Sequence, residues 1–330
     1  MLDLEQLKGK TLLITGGTGM IGKWMIDCLL SRVDCRIIVT GRNERKFKER
    51  FPNGRVGFVK WDIANARVPA IDGPMDYVIH LASNTHPVAY ATDPVSTVVM
   101  NVCAAKELLD LAVAKKVTRF VYASSVEVYG QNRGDVEKFG ENYCGYIDCN
   151  TLRAGYPESK RCGEALCQAY IKQYGLDVVI PRIARVYGPT LLSSDTKALS
   201  QFIADALDGR DIVLKSKGDQ YFSYLHVADA VSGILTVMLK GARGAAYNIA
   251  DERSDIRLRD LAALIAESAD RKVIFDLPSA SEAAGFSKAT IALLNAEKIS
   301  ALGWRAQYSI DVGIAETIRE MRRLKDKKGK

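Results

Sequence analysis

Residues 11–22 read Thr11-Leu12-Leu13-Ile14-Thr15-Gly16-Gly17-Thr18-Gly19-Met20-Ile21-Gly22. Five β-branched and apolar residues run into a glycine-rich turn, and the residues after it, Met20 to Leu30, repeat with a helical period. Gly16, Gly19 and Gly22 give G-x-x-G-x-x-G spacing between a strand and a helix. The glycines allow a tight turn, close approach of backbone to a pyrophosphate, and close packing of helix on strand. A helix starting there offers unpaired N–H groups to an anion. Isolated glycines say little, but placed between a first strand and its helix they indicate a dinucleotide cradle made of Gly16, Gly19, Met20, Ile21 and Gly22. The competing reading is a glycine-rich turn that holds no ligand.

The rest of the first half keeps the same alternation, as a parallel α/β sheet does. Strands are expected at Cys35 to Thr40, Arg55 to Lys60, Tyr77 to Leu81, Arg119 to Ser124 and Asp177 to Arg182. Long helices are expected at Val95 to Ala114 and Tyr156 to Tyr174. After Pro189 the rhythm changes to shorter, mixed elements. The expected fold is a Rossmann-like doubly wound parallel sheet with a smaller mixed α/β C-terminal lobe. The division falls at 1–189 for the dinucleotide domain and 190–330 for the substrate lobe, with part of the chain crossing back to the sheet and the ligand cleft between the two.

Composition narrows the function classes. The 330 residues are 48% hydrophobic and 26% charged, an ordinary globular balance. No apolar run reaches the roughly 18 residues of a membrane span, and the N-terminus lacks a basic segment followed by an apolar one, so a cytoplasmic protein is expected. Seven scattered cysteines without a C-x-x-C pair suggest small reduced hydrophobes, with neither a disulfide framework nor a zinc site. The net charge of +7 is concentrated in Arg319, Arg322, Arg323, Lys325, Lys327, Lys328 and Lys330, which suit a solvated helix end. A modest basic excess also attracts an anionic substrate. Without interleaved aromatics or a base-reading motif, neither nucleic acid nor membrane is an expected partner.

The choice of dinucleotide stays open. NAD sites usually carry an acid at the end of the second strand for the ribose 2′-OH. This chain has Val39-Thr40-Gly41-Arg42-Asn43 instead. Arg42 is suited to a 2′-phosphate, which favours NADP; its alternatives are stacking on adenine or plain exposure.

Tyr156-Pro157-Glu158-Ser159-Lys160 has Y-x-x-x-K spacing, which puts both side chains on one helix face. A phenol with a reference pKa near 10 needs a neighbouring cation to act as a base near neutrality. Lys160 supplies that charge and reaches the nicotinamide ribose. Tyrosine and lysine at this spacing often merely pack, but Ser124-Ser125 at an upstream strand end makes the set more specific.

With these residues the chain resembles the extended short-chain dehydrogenase/reductases that modify nucleotide sugars. The resemblance runs through TGGTGMIG, Asp62-Ile63, VIHLAS at 78–83, Asn101, SSVEVYG at 124–130, YPESK, RIARVYGP at 182–189 and YLHVADA at 224–230. It implies transient oxidation of a sugar hydroxyl, usually at C4, by tightly held NAD. Tyr156 would take the hydroxyl proton, Ser125 would hydrogen-bond the same oxygen, and Lys160 would tune Tyr156. Asp62 and Ile63 would meet the adenine, and Leu81, Ala82 and Ser83 would flank the cofactor. The matching long helices form a two-fold interface in that family, implying a homodimer.

The resemblance implies an extra catalytic acid/base group at Glu127, which matches a glutamate of dehydratases and UDP-glucuronate decarboxylases, and the stretch from Lys160 to Pro189 looks most like the decarboxylase branch. Its alternative role is a strand-end residue satisfied by nearby amides. Val126 replaces the aspartate of dehydratases. Arg185 replaces an asparagine that commonly contacts substrate, and Phe222 replaces the arginine that commonly grips the nucleotide diphosphate. Decarboxylation, epimerisation and dehydration are the expected outcomes, in that order. An NADPH-dependent reductase of a keto-sugar or small carbonyl is the alternative; a silent dinucleotide-binding sensor is a third, although a sensor has no need of Ser125, Tyr156 and Lys160.

Overall fold

Leu12 and Ile14 point to one side of the first strand and Leu13 to the other, and all three are fully buried, so the strand is covered on both faces. The computed structural model describes residues 2–64, 67–83, 92–192, 194–277 and 290–328. Its main sheet is built from β1 (Thr11–Thr15), β2 (Arg36–Gly41), β3 (Val56–Lys60), β4 (Tyr77–His80), β5 (Arg119–Tyr122), β6 (Ser124–Ser125), β7 (Val178–Ile183) and β11 (Ala246–Ile249). The order is β11-β7-β5-β4-β1-β2-β3, with β6 beside β7. Every pairing among them is parallel.

Helices close both faces. Leu13, Val78, Phe120 and Val178 form one core with Ala104, Leu108, Cys167 and Tyr170 of α3 (Pro94–Lys115) and α4 (Gly155–Tyr174). Leu12, Ile14, Val39 and Ile79 form the other with Met25, Ile26 and Leu29 of α1 (Met20–Arg32) and Val231 and Ile234 of α6 (Val227–Lys240). The chain order reverses at β1, whose neighbours are β2 on one side and β4 on the other. In open α/β sheets that crevice at the carboxyl ends of the strands is where ligands bind.

A second sheet carries β8 (Arg185–Tyr187), β10 (Tyr221–His226), β12 (Asp255–Arg257) and β14 (Ile291–Ala292). A smaller parallel pair joins β9 (Ile212–Leu214) to β13 (Val273–Phe275). The remaining helices are α2 (Glu44–Arg50), α5 (Ala198–Leu207), α7 (Leu258–Glu267), α8 (Glu297–Ser300) and α9 (Ile310–Lys328). In the basic α9, Lys325 pairs with Asp208 and Arg323 with Glu320; Lys330 lies outside the described residues.

One expectation changes. The strand expected over Arg119 to Ser124 is split at Ala123 into β5, which lies between β4 and β7, and β6, which keeps the same register on β7 alone: His80 lies beside Tyr122, and Ser124 lies beside Arg182. Arg185 follows β7 by two residues and opens β8, which leaves the main sheet and pairs with β10 opposite Tyr224. That pairing decides where Arg185 points.

Candidate active site

The cradle follows directly from the glycines. Gly16 has φ +71°, and a Cβ there would lie 2.9 Å from the Ala82 backbone nitrogen. A Cβ on Gly22 would come within 2.4 Å of the Gly16 carbonyl oxygen. Gly17, absent from the expected spacing, proves equally constrained, because a Cβ would press on Val39 at 2.7 Å. Gly19 caps α1 without a side-chain hydrogen bond. Met20 and Ile21 therefore begin a helix whose first N–H groups await an anion. A loop emptied of side chains ahead of an uncapped helix start fits a dinucleotide pyrophosphate.

Around the cradle, Leu81, Ala82 and Ser83 leave the end of β4 as expected. The Ala82 N–H donates to Thr15 Oγ1 at 3.1 Å, and Thr15 Oγ1 lies 2.8 Å from His80 Nδ1. Burial first, then the Lys160 charge, push the fully buried His80 down to about 3. Asp62 accepts the Ala64 N–H at 3.1 Å, and Ile63 packs partly buried on the α3–α4 core. Arg42 is exposed at the end of β2. Lys46 is depressed by its own burial, then by the Arg50 and Arg42 charges, and Arg50 donates to the Thr18 carbonyl at 3.0 Å.

The acid/base set gathers at the same edge. Tyr156 and Lys160 sit in the first turns of α4, both almost fully buried. Burial pushes the Tyr156 phenol up to about 12; hydrogen bonds from Ser125 and Ser83 and the Arg153 charge pull the other way, while Glu127 adds to the rise. Lys160 is pushed down to about 8 by burial against the pull of Glu164, and its Nζ donates to the Ala123 carbonyl at 2.9 Å.

Beneath the pair runs a network that sequence reading did not assemble. Ser83 Oγ donates to Asn101 Oδ1 at 2.7 Å, Asn101 Nδ2 donates to Ser159 Oγ at 2.9 Å, and Ser159 Oγ donates to the Tyr156 carbonyl at 2.8 Å. Ser124 Oγ donates to Glu164 Oε1 at 2.5 Å, and Glu164 also pairs with Arg182. The available signals were Ser159 within YPESK and Glu164 one turn beyond Lys160.

The wall of the cleft beyond Ser125 is charged. Glu127 lies in a 3₁₀ turn (Val126–Tyr129) capped by Ser125. Its Oε2 accepts from Arg153 at 2.8 Å, and its Oε1 faces Arg185 Nη2 at 3.6 Å. The Arg185 guanidinium lies 3.6 Å from the centroid of the Phe222 ring. The buried Val126 side chain adds no acid there.

The sequence pattern described as "NAD dependent epimerase/dehydratase family" matches residues 12–250, and so spans the cradle, the Tyr156–Lys160 pair and the β8–β10 wall. The chain belongs to that family. This epimerase/dehydratase relative is 29% identical over 321 residues to UDP-glucuronic acid decarboxylase 2 of Arabidopsis thaliana, covering 96% of this chain and 69% of that protein. It is 32% identical over 237 residues to UDP-glucuronic acid decarboxylase 1 of Xenopus tropicalis, covering 71% of this chain and 55% of that one. A dTDP-glucose 4,6-dehydratase from Streptomyces venezuelae, solved with NAD bound, superposes with a TM-score of 0.80 at 27% identity, covering 96% of this chain and 98% of that one. UDP-glucose 4-epimerase of Thermotoga maritima shares the fold with a TM-score of 0.82 at 22% identity, covering 95% of this chain and 99% of that one. The chain is thus an enzyme of the extended short-chain dehydrogenase/reductase type, and NAD is the cofactor its family is named for. Among the described residues, no helix is long and apolar enough to cross a membrane.

Proposed function

We propose that this enzyme transiently oxidises a hydroxyl, at C4, of a nucleotide-linked sugar and then completes a decarboxylation, epimerisation or dehydration. The observation that carries the reading is the buried Tyr156 phenol, hydrogen-bonded to Ser125 and Ser83 and one turn from Lys160, at the strand edge beside the glycine cradle. NAD, when bound, supplies the hydride acceptor. Tyr156 is placed to take the hydroxyl proton, and Ser125 to hold the same oxygen. Lys160, one helical turn from Tyr156 and pushed down to about 8 by burial, is placed to carry a positive charge at neutral pH. Ser83, Asn101 and Ser159 fix the start of α4 so that the phenol keeps its place. Gly16, Gly19, Met20, Ile21 and Gly22 hold the pyrophosphate; Asp62 and Ile63 lie toward the adenine. Ser125, Arg185 and Phe222 face the substrate, and Glu127 orients the arginines around it.

We further propose a cytoplasmic homodimer formed through α3 and α4. Val95 and Val98 on α3, and Leu152 just before α4, are exposed apolar side chains that such an interface would cover. A light-scattering mass of one chain at micromolar concentration would remove the dimer.

The reaction is tested by incubating the NAD-loaded protein with UDP- and dTDP-linked hexoses and uronic acids, with products identified by mass spectrometry and NMR. Conversion without net NADH release is expected; a panel returned unchanged overturns the reading. One observation favours a second: Arg42, Lys46 and Arg50 crowd the end of β2, as a 2′-phosphate would require. An NADPH-dependent reductase would consume NADPH in proportion to a keto-sugar.

A further inference from the structure

Two arginines share one carboxylate beside the reacting phenol. Arg153 and Arg185 both face Glu127, which leaves one positive charge in excess in that cluster. Arg185 is the better placed to meet a ligand. It stands opposite Tyr224 in the β8–β10 pairing, and Phe222, two residues earlier on β10, shares Tyr224's face. The long side chain leans along that face until its guanidinium lies over the Phe222 ring, 3.6 Å from the centroid. Stacking engages the flat face of the group and leaves its edge N–H donors available. One edge is turned to Glu127. Nη1 on the other is buried and makes no hydrogen bond among the described residues. A buried donor without an acceptor is costly, and a ligand oxygen would offset that cost.

We propose that Arg185, seated on Phe222 and tethered to Glu127, selects a sugar that carries a carboxylate. The proposal rests on the nucleotide-sugar reading above. The location argues for the sugar over the diphosphate: Glu127 and Arg153 lie within electrostatic reach of Tyr156, so the excess charge sits beside the carbon that reacts. The planar guanidinium fork matches a planar carboxylate. Phe222 is a positioning residue. It stands where the family resemblance expects an arginine, and it serves as the platform for an arginine from the neighbouring strand. The positive charge has moved from β10 to β8 while remaining on the same wall of the cleft.

The test uses NAD-loaded protein carrying Tyr156→Phe to block turnover, titrated calorimetrically with UDP-glucuronate, UDP-glucose and UDP. Adding Arg185→Gln is expected to weaken UDP-glucuronate relative to UDP-glucose by about 10- to 100-fold, the usual worth of a hydrogen bond to a charged group. The ratio of UDP-glucose to UDP should not move. Phe222→Ala should cost part of the same selectivity. Equal weakening of all three ligands, UDP included, places Arg185 on the diphosphate and overturns the proposal, as does an unchanged uronate-to-glucose ratio. Should Arg185→Gln not fold, Arg185→Lys reads the same ratio, because it keeps the charge but loses the fork and the stack. Parental protein that binds none of the three overturns the nucleotide-sugar reading itself, and the proposal with it.

Discussion

The two sides of the cleft are built from different materials. The side proposed for the cofactor is eight consecutive residues, Thr15 to Gly22, whose backbone would hold it, because glycine empties the space and the start of α1 offers the N–H groups. The side proposed for the sugar is made of side chains from four separate segments: Glu127 after β6, Arg153 before α4, Arg185 on β8 and Phe222 on β10. A backbone site depends on local conformation and tolerates little change; a side-chain site can move its charge from one strand to the next while keeping its position. Sequence motifs therefore report the first kind of site well and the second poorly.

The seam between the two sides should give the largest effect. Tyr156→Phe removes a proton acceptor and little binding surface. Turnover should fall by about 10²- to 10⁴-fold with dinucleotide affinity retained, read by steady-state kinetics and calorimetry. Near-normal turnover would mean that the acid/base group lies elsewhere.

The backbone character of the cofactor side is challenged by Gly22→Ala. The added methyl meets the Gly16 carbonyl oxygen at 2.4 Å and the Gly17 Cα at 2.6 Å, so the loop must shift. Overpacking of this kind typically costs about 1–3 kcal/mol, and NAD affinity should fall together with the melting temperature. Gly140→Ala, with nothing within 4 Å of its Cβ, is the neutral control. If the two variants behave alike, the cradle is looser than its geometry.

A pH titration addresses what burial does beside the glycine cradle. His80 has an ordinary pKa of 6.5, lowered to about 3 in the fold. The unfolded chain therefore binds a proton that the folded one refuses. This contribution to stability is full above pH 6.5 and is lost as pH falls through about 3, with a slope of at most about 1.4 kcal/mol per pH unit. Urea unfolding of the parent and of His80→Asn between pH 7 and pH 4 should show that slope in the parent alone. Parallel curves would mean that His80 can be protonated without opening the fold.

The smallest effect is expected from the exposed Arg42. Arg42→Ala should leave NAD affinity within about fivefold, since exposed charges contribute up to about 1 kcal/mol. A selective loss of NADP affinity would sharpen the contrast, because it would give the cofactor side one specificity element made of a side chain.

Much of the frame was legible. The β-branched and apolar run before the glycine turn marked a strand, and β1 and the start of α1 fall where the pattern put them. The short helix α2 was not anticipated; its seven residues, ERKFKER, bury Phe47 alone and so present little apolar periodicity. The break at Ala123 was equally hidden, since a strand that loses one of its two neighbours keeps the composition of one that keeps both. Gly17 was visible, but its constraint was not, because that comes from Val39 on the next strand.

The sequence by itself determined the cradle and the facing of Tyr156 and Lys160, because glycine spacing and a four-residue helical step act over one or two turns of chain. The tertiary structure decided the rest of the chemistry. Burial holds the Tyr156 phenol near 12 and Lys160 near 8, and Lys160 is anchored to Ala123, 37 residues away. Arg185 rests on Phe222 only because β8 leaves the main sheet to pair with β10. Desolvation and contacts between distant segments belong to the packed chain, so no local pattern could have carried them.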